Sequence, residues 1–399
     1  MKENIFALTK EELKQIAENL QEKIELGLEK NDTEILCIPT YINPKEEIEP
    51  GRVLALDWGG TNFRAAIVEL APGKDPVIIE TKKKLLSAKE AIGFSQNDLL
   101  REMASLIAGL GNLDNQITRI GYCFSYPAEC QTDGDAKLLR WTKGFEIYEM
   151  VGSLIGKSLM EYLNSYPDIH TTFTSVKVIN DTVACLFAGL SDVGKDAYIG
   201  LIVGTGTNMA GLMQMSKIAK LNNKGRGFVP VNLESGNFNP PFLTVIDGLV
   251  DAMSNNKGIQ RFEKAISGGY IGEIFKTVFS YRKIKYDFDG ESLSNIMNNP
   301  QGQPEEYVHA ANWLFERSAN LVAASLTGLI QVLLSHNENI KTVCIAADGS
   351  VFWKSSNAYY TQVADQLKAL LPEGIVVTFA DEEKMAEANL IGTAIAATS

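Results

Sequence analysis

The sequence predicts an α/β fold of two similar lobes, each with a sheet covered by helices. In each half of the chain an apolar strand runs into a glycine-rich turn and continues as a second strand. The two turns contain the same tripeptide, Gly-Thr-Asn, at residues 60–62 and 206–208. Long helical patterns at 305–335 and 384–398 supply the layers that cover the sheets. Because the turns occupy equivalent places, the two lobes are expected to face each other.

The first half begins with a predicted amphipathic helix. Thr9 and Glu12 form a capping box ahead of apolar residues at helical spacing, which continue to about Lys30. An acidic linker follows, and the pattern beyond it predicts the order β-β-β-α-β. The predicted strands are 53–56, 63–70, 77–80 and 119–124, and the predicted helix lies near 97–110.

The second half repeats this plan. Residues 197–204 form an apolar strand, the turn "TGTN" follows, and "MAGLM" reads as the return strand. Helical patterns then dominate up to a strand at 342–346. The repeat of both order and turn supports the two-lobe prediction.

Composition limits the classes of partner. The chain has 399 residues, 45% of them hydrophobic, which is enough for two lobes with substantial cores. Its formal net charge of −12 disfavours nucleic acid and an anionic membrane as partners. Any site for phosphate must therefore be built locally.

Cysteine and histidine usage argues against disulfides and zinc. The five cysteines are odd in number and lack CxxC spacing, which is typical of reduced cytosolic thiols. The three histidines form no HExxH motif, so a metal, if used, is expected to be Mg²⁺ held largely by phosphate oxygens. The N-terminus resembles neither a signal nor a transit peptide, and no run of 18 apolar residues occurs. We expect a cytoplasmic protein.

The two turns have the composition of phosphate-binding loops. Glycine lets successive backbone N–H groups converge on an anion, and threonine hydroxyls add neutral donors. A plain hairpin turn is the competing interpretation, which the pairing of two such turns disfavours. Two better-known phosphate motifs fail on spacing: Val151 replaces the leading glycine of a P-loop ending at "GKS", and Met209 interrupts a dinucleotide fingerprint.

Eight segments in chain order resemble the hexokinase family of sugar kinases. They are "LDWGGTNFR", "FSYP", "WTKGF", "INDTVA", "GLIVGTGTN", "VNLESG", "FEKAISGGYIGE" and "ADGSVF". The resemblance implies a two-lobed ribonuclease H-like fold, as in actin-like ATPases, with mixed five-stranded sheets, flanking helices and a central cleft. It implies a small lobe at 52–180 plus 384–399 and a large lobe at 1–51 and 181–383.

The resemblance also implies residue roles. Asp181 would be the catalytic base, with Lys143 and Arg64 offsetting charge. The sugar would be bound by Ser125, Thr142, Lys143, Asn180, Asp181, Asn208, Asn232, Glu234 and Glu263. The ATP phosphates would be held by Asp57, Gly59, Gly60, Thr61, Asn62, Gly204, Thr205, Gly206, Thr207, Gly349 and Ser350. Asp57 would also meet Mg²⁺ through water.

Physical chemistry supports these roles and also offers plainer ones. Converging amides and carboxylates suit a ring of sugar hydroxyls, and an aspartate suits an alcohol that loses its proton as phosphoryl transfer develops. However, Asp181 follows a strand and precedes an apolar helix, so it could be only an N-cap. Gln260 and Glu263 could form a solvated helix face, and Glu234 lies in a loop where carboxylates are common.

Several features depart from the family pattern. Trp58 stands where an aliphatic residue is usual and Tyr126 where phenylalanine is usual, which affects packing near the site. The C-terminal "KMAEANLIGTAIAATS" lacks the usual glycine- and serine-rich adenosine segment and resembles bacterial sugar kinases. We therefore expect a bacterial-type hexokinase or glucokinase.

The expected activity is transfer of the ATP γ-phosphoryl group to the 6-hydroxyl of glucose or a similar hexose, the first step of glycolytic sugar use. The expected partners are hexose and ATP, with no nucleic acid or membrane, in a monomer or homodimer. A sugar sensor with little catalysis is the main alternative, and the set of Asp57, Arg64, Lys143 and Asp181 argues against it. An actin- or Hsp70-like ATPase would not require the "FSYP", "WTKGF" and "NLES" segments.

Overall fold

The computed structural model describes residues 3–45, 47–221, 225–280 and 287–399. The chain divides into two compact units. Unit one comprises Met1–Cys37, Lys195–Gly225 and Leu233–Glu382. Unit two comprises Ile38–Gly194, Arg226–Asn232 and Glu383–Ser399. The lobe boundaries expected from the sequence stay a prediction.

Helices and strands are interspersed along the chain. The helices are α1 (Lys10–Glu29), α2 (Gln96–Ala108), α3 (Ile155–Ser165), α4 (Asp181–Gly189), α5 (Val245–Met253), α6 (Arg261–Ile266), α7 (Gly268–Val278), α8 (Gly290–Asn298), α9 (Glu305–His336), α10 (Ser350–Lys354), α11 (Asn357–Leu370), α12 (Glu382–Met385) and α13 (Ala388–Ala396). The strands are β1 (Ile38–Pro39), β2 (Gly51–Trp58), β3 (Asn62–Leu70), β4 (Val77–Leu85), β5 (Arg119–Phe124), β6 (Ala128–Cys130), β7 (Ala136–Leu138), β8 (Ser175–Ile179), β9 (Ala197–Val203), β10 (Thr207–Gln214), β11 (Phe228–Asn232), β12 (Thr342–Asp348) and β13 (Val376–Phe379).

Unit two contains the five-stranded mixed sheet that the resemblance implied. Its strand order is β4-β3-β2-β5-β8, with β2 antiparallel to β3 and parallel to β5. β2 is buried from Val53 to Trp58, as expected of a central strand covered on both faces. The order of these strands and of α2 is the β-β-β-α-β order predicted from the sequence.

The sheet of unit one is also mixed. In the described part of this unit β10, β9, β12 and β13 lie side by side, with β9 antiparallel to β10 and parallel to β12. Strands β1 and β11 belong to unit two, where Ile38 pairs with Asn232. The strand, turn and return strand predicted at 197–213 are confirmed as β9 and β10.

Helix α9 forms the centre of unit one and packs against α1 and α11. It is long and apolar enough to cross a membrane by composition, with a mean hydropathy of 1.5 over its best window. However, 83% of that window is buried inside the protein, as in the core helix of a soluble domain. Its one buried cation, Arg317, donates to both carboxylate oxygens of Asp247 at 2.9 and 2.8 Å.

Both ends of the chain carry helices, and only the first matches its prediction. α1 begins after the Thr9 capping box, in which the Thr9 hydroxyl accepts from the Glu12 N–H and the Glu12 carboxylate accepts from the Thr9 N–H. The single C-terminal helix predicted at 384–398 is wrong, because the structure has α12 and α13 separated at Glu387. Glu387 leaves the helical region, with φ −121° and ψ 29°, and its side chain binds Arg64.

Helix α13 lies unusually close to α4 within unit two. A Cβ built on Gly392 would lie 1.8 Å from the carbonyl oxygen of Ala184, a distance that no side chain can adopt. Glycine at this position therefore allows the two backbones to touch. The contact matters because α4 begins at Asp181, the predicted base.

We predict opposite stability effects for two glycine-to-alanine substitutions. Gly392→Ala should lower the free energy of unfolding by about 1 to 3 kcal/mol, because the added methyl overpacks against α4. Gly248→Ala is the control, since nothing lies within 4 Å of its Cβ position and it belongs to exposed α5. That change should add roughly 0.5 to 1 kcal/mol. Urea denaturation measures both, and equal effects would contradict the close contact.

Candidate functional site

The first glycine turn joins β2 to β3 in unit two and is preceded by a buried carboxylate. Asp57 is 5% exposed, and its Oδ2 accepts hydrogen bonds from Arg64 Nε at 2.8 Å and Nη2 at 2.7 Å. Its Oδ1 accepts from Asn389 Nδ2 at 3.3 Å. Arg64 Nη1 in turn donates to Glu387 Oε2 at 2.6 Å. Two residues of the C-terminal segment thus join the pair predicted to act on phosphate.

The charge of Arg64 is secured by its surroundings. Burial acts to lower the pKa of the guanidinium, but the charges of Asp57 and Glu387 outweigh it, so that the pKa is raised. Arg64 therefore stays cationic and neutralises Asp57. Its predicted role in offsetting phosphate charge stays a prediction.

Lys143 connects the first turn to the "FSYP" segment. Its Nζ donates to the carbonyl oxygens of Gly59 at 2.7 Å and Ser125 at 2.9 Å, and it lies 5.1 Å from the centre of the Tyr126 ring. Its backbone has φ of 57°, a left-handed conformation that is uncommon for lysine. Gly60 has φ of 115°, and a Cβ at this position would lie 2.6 Å from Lys143 Cδ. Glycine therefore leaves room for the lysine side chain. The ammonium group is thus held at the turn.

An aromatic cluster supports this turn from below. Trp58 is fully buried, its indole N–H donates to the Leu86 carbonyl at 3.1 Å, and its ring lies 5.1 Å from those of Tyr126 and Phe145. The Tyr126 hydroxyl is buried and has no hydrogen-bond partner in the described part of the chain.

Asp181 is the first residue of α4 and is not its N-cap. The cap is Asn180, whose Oδ1 accepts from the Val183 N–H at 2.8 Å. Asp181 is partly exposed, and its Oδ1 accepts from the Thr182 N–H at 2.8 Å. The plainer capping role proposed for Asp181 is therefore wrong, because the neighbouring residue performs it.

Cys123 shows that Asp57 and Asp181 share one neighbourhood. This thiol is on β5, directly opposite Asp57 in the sheet. Burial raises the pKa of the thiol well above its usual value, and the negative charges of Asp57 and Asp181 raise it further. On its other side Cys123 pairs with Ile179, two residues before Asp181, so the two predicted carboxylates lie at the same edge of the unit-two sheet.

The second glycine turn, in unit one, is held by backbone and carboxylate groups. The carbonyl oxygens of Gly204 and Thr205 accept from the N–H groups of Gly268 and Gly269, at the start of α7, at 2.8 and 3.0 Å. The Thr207 N–H donates to Glu263 Oε2 at 3.0 Å. The turn therefore has a fixed backbone while Thr205 stays exposed.

Residues from other loops adjoin this second turn. Asn208 Oδ1 accepts from the Ser235 N–H at 3.1 Å, which places the "NLES" segment beside the turn. A Cβ on Gly349 would lie 2.3 Å from the Val203 carbonyl oxygen, so β12 ends in direct contact with the end of β9. Ser350, at the start of α10, is exposed there.

Glu263 is a mostly buried carboxylate whose charge is disfavoured. Burial raises its pKa above the usual range, and the charge of Glu234 raises it further, although the hydrogen bond from Thr207 opposes both. Glu234 has φ of 55°, so its backbone is in the left-handed region. The solvated helix face proposed for Glu263 is therefore wrong. Two carboxylates held close together suit a ligand with several hydroxyl groups.

The structure places the predicted residues in two groups. Unit two holds Asp57, Gly59, Gly60, Thr61, Asn62, Arg64, Ser125, Thr142, Lys143, Asn180, Asp181 and Asn232. Unit one holds Gly204, Thr205, Gly206, Thr207, Asn208, Glu234, Glu263, Gly349 and Ser350. Sequence reasoning missed Glu387 and Asn389, because their apolar neighbours read as an ordinary helix. The roles predicted for the residues of both units stay predictions.

Metal-binding capacity is modest. Among the described residues no group of three or more His, Cys, Asp or Glu side chains is arranged to hold a metal ion. Asp57 is a single buried carboxylate, and such a site fits Mg²⁺, which keeps several waters and binds through one or two carboxylates plus substrate phosphates.

A mixed α/β fold with glycine-rich turns after the first strand of each half, and with carboxylates beside them, defines a phosphotransferase of the actin-like ATPase fold. Two family models described as "Hexokinase" match residues 2–190 and 198–310, which together make up most of the chain. The chain belongs to the hexokinase family.

Similar proteins agree with this family. The chain is 29% identical to "Hexokinase-1" of Spinacia oleracea, covering 97% of this chain and 87% of that protein. It is 31% identical to "Glucokinase" of Aspergillus niger, with 64% of this chain and 58% of that protein covered. The solved hexokinase of Schistosoma mansoni complexed with glucose is 26% identical, with a TM-score of 0.78 and coverage of 99% and 96%.

The expected bacterial type finds no support in these comparisons. The related proteins are eukaryotic hexokinases and glucokinases. The C-terminal segment that suggested it is too short to outweigh matches spread over the chain. What that segment does in this protein is visible instead in its contacts with Asp57 and Arg64.

We predict that Glu263→Gln stabilises the protein at neutral pH. The raised pKa means that the charged carboxylate is disfavoured in the folded state, so the native charge lowers stability above the raised pKa. The neutral amide keeps an oxygen to accept from Thr207 and removes this penalty. The gain should shrink as pH falls through the raised pKa and vanish below the ordinary glutamate pKa, since Glu263 is then protonated in both states.

Urea denaturation of both proteins between pH 7.5 and pH 5 measures this difference. Glu373→Gln is a matched control, because that glutamate is exposed near Gly374. A gain for Glu263→Gln that stays constant with pH would rule out the electrostatic cause.

Proposed function

We propose that the chain transfers the γ-phosphoryl group of ATP to the 6-hydroxyl of glucose or a related hexose. The hexokinase family match and the phosphotransferase class support this activity. The observation that carries the residue assignment is the strand register of unit two, in which Cys123 pairs with Asp57 on one side and with Ile179, two residues before Asp181, on the other. A phosphate-side and a sugar-side carboxylate must be neighbours for transfer.

Asp181 is proposed as the general base. Its position at the start of α4, with Asn180 performing the capping, leaves the carboxylate available for chemistry. It would accept the hydroxyl proton as the sugar oxygen bonds to the γ-phosphorus and the bond from that phosphorus to the bridging oxygen breaks, leaving ADP and the hexose phosphate ester. Lys143 and Arg64 would offset the charge on the transferred group.

Each unit holds residues proposed to contact the sugar. Ser125, Thr142, Lys143, Asn180 and Asn232 belong to unit two, and Asn208, Glu234 and Glu263 belong to unit one. Burial of Glu263 beside Glu234 supports a ligand that donates several hydrogen bonds.

The two turns would hold the ATP phosphates, and Asp57 would meet Mg²⁺ through its waters. When bound, Mg²⁺ would neutralise charge on the phosphate oxygens. Arg64 and Asn389 hold Asp57 in one orientation, which supports this placement. We further propose a cytoplasmic protein, acting as a monomer or homodimer without nucleic acid or membrane.

A coupled assay with ATP and a panel of hexoses tests the activity. Formation of hexose 6-phosphate with glucose, or with another hexose of the panel, is the expected result. Sugar binding without product, seen as a fluorescence change alone, would overturn the proposal in favour of a sensor.

We predict that Asp181→Ala lowers turnover by about 10² to 10⁴, because the general base is lost. Hexose affinity should change much less, since other groups hold the sugar. Asp168→Ala in the same unit is the matched control, because Asp168 is exposed after α3. Turnover close to that of the control would remove Asp181 from the mechanism. Initial rates and the hexose KM are measured together.

A further inference from the structure

We infer that Asn389 is a positioning residue that fixes the orientation of Asp57. Glu387 contributes indirectly, because it binds Arg64, which also holds Asp57. The inference rests on the proposed function, in which Asp57 faces the metal-nucleotide. Nothing in the local sequence marks Asn389, which lies in an apolar C-terminal helix. Its assignment comes from where the fold brings it.

The geometry closes a chain of contacts around one carboxylate. Two N–H groups of Arg64 donate to Oδ2 of Asp57, and the Asn389 amide donates to Oδ1 at 3.3 Å. Glu387 holds the remaining end of the guanidinium at 2.6 Å. Both oxygens of Asp57 are thus engaged, so rotation of the carboxylate would break at least one contact.

The backbone around Asn389 is rigidly placed. Asn389 is the second residue of α13, and that helix contacts β2, β5 and α4. Gly392 touches the Ala184 carbonyl, and a Cβ on Gly121 would lie 2.1 Å from the Thr393 carbonyl oxygen. A side chain on α13 is therefore held at a fixed distance from β2, which contains Asp57, and from α4, which begins at Asp181.

The Asn389 amide has a further distinctive feature. Its Oδ1 is buried and has no hydrogen-bond partner in the described part of the chain. The amide places an N–H donor on Asp57, which an aspartate at the same position could not supply at neutral pH.

The decisive experiment compares Asn389→Asp with Asn389→Ala in the full-length chain. A structural role alone predicts that either variant lowers the melting temperature and leaves the turnover of the folded protein unchanged. A positioning role predicts that the turnover of folded Asn389→Asp falls more than about tenfold, because a second carboxylate repels Asp57. The same repulsion should lower the melting temperature, so turnover is measured well below it. Asn389→Ala should lower turnover about tenfold, through loss of one hydrogen bond to a charged group.

A second measurement does not depend on turnover. Binding of Mn²⁺-ADP, followed by electron paramagnetic resonance, should weaken about tenfold in Asn389→Asp, while glucose binding measured by intrinsic fluorescence stays unchanged. Glu387→Gln should weaken Mn²⁺-ADP binding less, because Arg64 still holds Asp57. Lys384→Ala, which removes an exposed ion pair with Asp75 in the same segment, should match the wild type.

The outcomes separate the inference from the proposed function. Mn²⁺-ADP binding that is unchanged in Asn389→Asp, or glucose binding that weakens equally, would overturn the positioning role. A wild-type protein that phosphorylates no hexose would overturn the proposed function, while the Mn²⁺-ADP comparison would still decide the role of Asn389.

Discussion

The pairing of one buried carboxylate with groups from distant parts of the chain is the constraint on which unit two depends. Asp57 ends a central strand and is almost fully buried, so its charge requires partners. Arg64 supplies the cation from the adjacent strand, and the C-terminal segment supplies Glu387 and Asn389. This requirement is consistent with the packing of α13 against β2 and with the break between α12 and α13 at Glu387.

The two glycine turns reach a fixed shape by different means. The first is held by a side chain, because Lys143 binds the Gly59 carbonyl and the Ser125 carbonyl. The second is held mainly by backbone, because the first amides of α7 donate to the carbonyls of Gly204 and Thr205, and Glu263 accepts from the Thr207 N–H. The turns are alike in sequence and unlike in support.

Three positions with a strained backbone belong to the groups proposed to bind sugar or lie one helical turn from them. Lys143, Glu234 and Gln260 all have positive φ, which costs about 1 to 3 kcal/mol at a residue other than glycine. Glu263, one helical turn from Gln260, is in addition a buried carboxylate next to another. Such features reduce stability, and the surrounding packing must offset them. They are typical of a site that is shaped for a ligand rather than for stability.

The sequence by itself determined the strand order of the first half, the capping box of α1, both glycine turns and the family, because these depend on local periodicity and short motifs. It could not determine that Asn180 rather than Asp181 caps α4, since either residue fits the pattern. It also missed Glu387 and Asn389 and predicted one unbroken C-terminal helix. Only tertiary structure decided these points, because a contact between residues more than 300 positions apart leaves no local signal.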